Sequence, residues 1–115
     1  MFDLTWTKEA AELYHALRQR ALASLAGRQK NKKTKASPDE GLFKQVHKCV
    51  TLLAANPRHP GLQTHPYHGL EHPFESGGKV FEAYAQNRTP GAFRVFWCYG
   101  PGPNAITIIT ITRHP

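Results

Sequence analysis

The sequence predicts an α+β domain: a short N-terminal strand, two helices, and then a three-stranded antiparallel meander forming one sheet. Two observations carry this. Apolar residues recur at helical spacing up to about residue 55, and strand-like runs rich in Val, Ile, Thr and aromatics follow at 79–86, 92–99 and 105–112. Short turns bearing Gly, Pro or Asn separate these runs at hairpin distances, which favours antiparallel neighbours. At 115 residues the chain makes one domain, 1–115, expected to bury roughly two thirds of its unfolded surface.

Phe2-Asp3-Leu4-Thr5-Trp6 alternates apolar and polar residues as a first strand does. Thr7 offers an N-cap, with Glu9 near the positive helix end. Ala10, Leu13, Tyr14, Leu17, Ala21 and Leu25 then form one apolar stripe, and Gly27 is expected to end this helix. A basic loop at 27–36 follows. Ser37-Pro38-Asp39-Glu40 has capping-box spacing with proline at the first helical position, and Leu42, Phe43, Val46, Cys49, Val50 and Leu53 continue a second stripe. Asn56-Pro57 stops it, because the residue before proline disfavours helix. Residues 57–78 hold four prolines and four histidines and read as an irregular connection with one extended piece near 62–67.

Composition is globular: 40% hydrophobic and 20% charged. No apolar run is long enough to span a membrane and the N-terminus is polar and foldable, so a cytosolic, unprocessed chain is expected. Cys49 and Cys98 lie far apart among apolar neighbours and are expected to be buried free thiols, a bridge between them being the alternative. The formal charge is +7, and all the excess sits in one segment. Between Leu13 and Pro38 stand Arg18, Arg20, Arg28, Lys30, Lys32, Lys33 and Lys35 without one acid. Such a patch raises the local density of a polyanion; the plainer alternative is a solvated basic loop.

Several phrases, in order and spacing, resemble the RelE/ParE superfamily of bacterial toxins from type II toxin-antitoxin modules. They are Leu4-Thr5-Trp6-Thr7-Lys8-Glu9-Ala10, the stretch from Leu53 to Leu62, Gly78-Lys79-Val80-Phe81-Glu82, Phe93-Arg94-Val95-Phe96-Trp97, and Ile108 to His114. The resemblance implies a RelE-like fold and a small basic protein held inactive by an antitoxin. In the RelE-like branch the target is mRNA on the ribosome, cut without metal or other cofactor; in the ParE-like branch it is DNA gyrase and no nuclease chemistry is involved. The phrases do not separate the branches.

Metal-free RNA cleavage needs a base for the 2′-hydroxyl proton, donors for the phosphate, and an acid for the leaving 5′-oxygen. By similarity to RelE-like enzymes, Lys79, Arg94 and Arg113 are the expected phosphate ligands. Arg94 lies mid-strand among apolar residues, where a cation needs an anion or a carboxylate; an ion pair with Glu82 on the neighbouring strand is its structural alternative. Lys79 could merely begin a strand as an exposed charge.

His114 is the expected acid, with a frayed tail residue as the alternative. His65 and His68 are the other titratable candidates, and His65 could instead anchor its loop to backbone. The glutamate that some relatives use as base has no clear counterpart. His65, His68 and His72 are interrupted by Pro66, Gly69 and Pro73 and joined by no cysteine or paired aspartate, so no metal site is expected. Arg88 with Lys30, Lys32, Lys33 and Lys35 would contact RNA. Tyr84, Trp97 and Tyr99 could stack on bases, although Trp97 is expected in the core.

The resulting expectation is a ribosome-dependent mRNA endonuclease toxin whose partners are an antitoxin, the ribosome and mRNA. A ParE-like gyrase inhibitor and a plain basic nucleic-acid-binding module are the alternatives.

Overall fold

The computed structural model describes residues 1–30, 35–87 and 90–114, and of residues 29 and 30 the backbone only. Strand β1 (Asp3–Trp6) leads into helix α1 (Lys8–Lys30) and helix α2 (Pro38–Ala55). A 3-10 turn (Pro60–Leu62) and strand β2 (His65–Tyr67) precede the meander β3 (Val80–Tyr84), β4 (Phe93–Tyr99) and β5 (Ala105–Arg113). All five strands form one sheet in the order β1-β5-β4-β3-β2. The meander is antiparallel as expected, while β1 lies parallel to β5 with Asp3 opposite Ala105.

Local chemistry explains the helix boundaries. The Thr7 hydroxyl accepts the Ala10 N–H at 3.1 Å, which caps α1. At Ser37 the capping box forms in both directions, with Glu40 returning to the Ser37 N–H. Gly27, however, does not end α1, which continues to Lys30. A single glycine costs a helix about 1 kcal/mol, too little to stop one whose next residue, Arg28, pairs with Glu40 of α2 at 2.7 Å. The first four residues of the expected 27–36 loop are therefore helical, and residues 31–34 lie outside the described residues.

The extended piece foreseen near 62–67 narrows to β2, an added edge strand pairing His65 with Glu82 and Tyr67 with Val80. An edge is where Pro66 can sit, since it has no N–H to give a ladder.

Both helices cover one face of the sheet. Ala10, Leu17, Val46, Cys49, Val50 and Leu53 meet Ala83, Val95, Trp97, Ile106, Ile108 and Ile111 in the main core, with Trp97 placed as expected. Cys49 and Cys98 are free and buried, and burial pushes their thiols up to about 12 and about 11. No described helix is long and apolar enough to cross a membrane.

Candidate functional site

Strand parity builds the site on the face away from the helices. On β3, Phe81 and Ala83 face the helical core, so Val80, Glu82 and Tyr84 face the other way. Register then places His65 beside Glu82, and Arg94 beside Tyr84 and Thr112. His114 is two residues past Thr112, and its N–H bonds to the Ala92 carbonyl at 2.8 Å. The ladder thus holds His114 against β4 instead of leaving it as a frayed end.

Three side chains meet at one carboxylate oxygen. Glu82 Oε1 lies 3.1 Å from His114 Nδ1, 3.3 Å from His65 Nε2 and 3.3 Å from Arg94 Nε. Glu82 is fully buried, whereas the His65 and His114 side chains remain 44% and 47% exposed. None of these approaches is aligned as a hydrogen bond, and neither oxygen of Glu82 has a hydrogen-bond partner among the described residues. A fully buried carboxylate is costly unless a cation stands beside it, and Arg94 is that cation.

Arg94 is itself held from three sides. Its Cζ stacks 3.6 Å over the Tyr84 ring, Nη1 donates to the Gln86 carbonyl at 2.7 Å, and Nε faces Glu82. The ion-pair alternative for Arg94 is therefore what the fold contains. His65 also bonds through Nδ1 to the Gln63 carbonyl at 3.1 Å, so the backbone anchor foreseen for it coexists with its place beside Glu82.

Of the residues singled out from sequence, Arg94, His114 and His65 come together. Arg113 does not: it pairs with Phe93, whose ring joins the helix-side core, and its guanidinium lies 5.7 Å from that ring. Lys79 precedes β3 as an exposed residue and borders a half-open pocket lined by the 66–80 segment. The joint phosphate clamp of Lys79, Arg94 and Arg113 is thus not assembled. Lys35 is exposed between the two helices, and Arg88, Lys32, Lys33 and the side chain of Lys30 lie outside the described residues.

The residue missed was Glu82. Its signal was present in Val80-Phe81-Glu82-Ala83-Tyr84, a carboxylate mid-strand among apolar residues, but it was read as a partner for Arg94 and not as the centre of a cluster.

Chemically, the arrangement presents two solvent-accessible imidazoles backed by one buried carboxylate. Such a carboxylate orients the rings and balances whichever of them carries a proton.

No protein-family model and no curated protein matches the sequence. The fold does match solved structures along its whole length. A YoeB/ParE toxin from Agrobacterium tumefaciens superposes with a TM-score of 0.61 at 11% identity, covering 98% of this chain and 99% of that one. The E. coli RelBE toxin-antitoxin complex gives 0.53 at 9% identity, covering 100% and 99%. A chromosomal ParDE system from P. aeruginosa gives 0.52 at 21% identity, covering 100% and 98%. The chain therefore has the fold these toxins share.

Proposed function

We propose that this chain is the toxin of a type II toxin-antitoxin module and that it cleaves mRNA on the ribosome without metal. The observation that carries the reading is the convergence of His65, His114 and Arg94 on buried Glu82. In this mechanism one imidazole, His65, accepts the 2′-hydroxyl proton as that oxygen attacks phosphorus. His114 gives a proton to the departing 5′-oxygen, leaving a 2′,3′-cyclic phosphate and a free 5′-hydroxyl.

Glu82 and Arg94 form a buried pair that cancels in charge, so the protonated imidazole supplies the positive charge that meets the phosphate. Arg94 acts through Glu82 as a positioning residue. An antitoxin covering this face would block both imidazoles and so neutralise the chain.

The test is to incubate the protein with translating ribosomes and map mRNA 5′ ends. New ends inside codons are expected, and His114→Ala should lower their yield by about a hundredfold or more. Absence of new ends would remove the enzymatic reading. The ParE-like alternative draws on the 21% identity to a ParDE system; it predicts blocked DNA supercoiling with mRNA intact. In cells, induced expression should arrest growth, and Arg94→Ala or His114→Ala should relieve the arrest.

A further inference from the structure

Beside the Glu82 cluster, and sharing no residue with it, the 66–80 segment lines a half-open pocket of about 940 Å3. That volume lies at the upper end of small-molecule sites, about 300–1,000 Å3. Its lining begins at Pro66, next to His65, and at Val80, two residues and roughly 7 Å along β3 from Glu82.

The wall is built in place by specific contacts. His72 Nδ1 accepts the N–H groups of Phe74 and Glu75, both at 3.1 Å, which leaves the ring proton on Nε2, 3.2 Å from the Tyr99 carbonyl. A side chain at Gly78 would stand 2.6 Å from the His72 ring, and one at Gly69 would stand 2.5 Å from the Tyr67 hydroxyl. A Cβ at Gly78 would also stand 3.0 Å from the Glu75 carbonyl, so this is the position where the close approach favours glycine. Leu70 fastens the loop to the sheet by packing against Val80, Cys98 and Ile109.

The lining chemistry disfavours a phosphate, because the carboxylates of Glu71 and Glu75 outnumber Lys79 there. It suits an uncharged aromatic ring bearing donors. Phe74 is 53% exposed and offers a stacking surface with Tyr67 nearby, and the carboxylates offer paired acceptors. Guanine alone among RNA bases presents two adjacent donors, N1–H and N2–H, that match the two oxygens of one carboxylate.

We infer that this cavity receives a single RNA base, guanine before the others, from a nucleotide neighbouring the one held at the Glu82 cluster. The position of that nucleotide rests on the endonuclease reading; the chemistry of the cavity does not.

Two arms test it on the full chain. In the first, the four nucleoside 3′-monophosphates are titrated and followed by NMR. Binding of 3′-GMP should be roughly tenfold or more tighter than that of 3′-UMP. This preference should be lost in Phe74→Ala and in the double variant Glu71→Gln/Glu75→Gln, and retained in His114→Ala. Equal binding of all four, or a guanine preference untouched by those variants, overturns the inference. In the second arm, mapped mRNA ends should favour guanine beside the cut, and the double variant should erase that bias among the ends that remain. An unchanged bias overturns it too. Selective 3′-GMP binding with no mRNA ends would sink the endonuclease reading and leave the base pocket standing.

Discussion

Glu82 is fully buried and its charge is answered chiefly by Arg94, itself only 7% exposed. Breaking such a pair from one side leaves the other charge stranded in a poor dielectric, at a typical cost of about 3 kcal/mol or more. Glu82→Gln should therefore lower unfolding free energy by about that amount in urea denaturation, while His114→Ala, at a half-exposed side chain, should shift it by far less. A result with both variants equally stable would mean that Glu82 and Arg94 are not coupled in the folded protein. The same residue explains why the site was only partly legible. Arg94, His65 and His114 stood out as chemistry-bearing residues, whereas Glu82 becomes the common partner only when register brings three strands' residues to one oxygen.

At the scale of elements, the two helices are joined near their open end by an ion pair, Arg28 Nη2 to Glu40 Oε1 at 2.7 Å. The Arg28 guanidinium, with the Ser37 N–H, holds the Glu40 carboxyl at about 2, below its ordinary 4.5. A carboxyl lowered by folding adds stability that is complete above 4.5 and fades as pH falls toward 2. Thermal melts should show Glu40→Gln less stable than the parent at pH 6, with the gap closing across that window.

Gly27 sits inside α1 with nothing within 4 Å of where a Cβ would lie. Gly27→Ala should raise stability by about 0.5–1 kcal/mol, read as a higher denaturation midpoint. Glycine reads locally as a stop signal, and the ion pair of Arg28 with Glu40 on the other helix overrides it.

Across the whole molecule, the helical layer and the Glu82 cluster occupy opposite faces of the sheet, and Arg18, Arg20 and Arg28 of the acid-free cationic run stand on α1, in the helical layer. Polyanion binding through that run is separable from chemistry on the other face. Arg18 and Arg20 are exposed on α1. Replacing both with glutamine should flatten the salt dependence of single-stranded RNA binding by about 1.4 in log–log slope, about 0.7 per lost phosphate contact. An unchanged slope would place the RNA elsewhere.

By itself the sequence determined the class of fold, the two helices with their N-terminal caps, the antiparallel meander and the core positions, because each is written in a local period or a cap a few residues long. Only the tertiary structure decided that β1 lies parallel to β5, that a three-residue edge strand carries His65 to Glu82, and that Arg113 falls on the helix side while His114 falls on the other. Those outcomes depend on pairing between residues as much as 102 positions apart, Asp3 with Ala105, and on strand parity. One step of register moves a side chain through the sheet, and no local pattern records which step is taken.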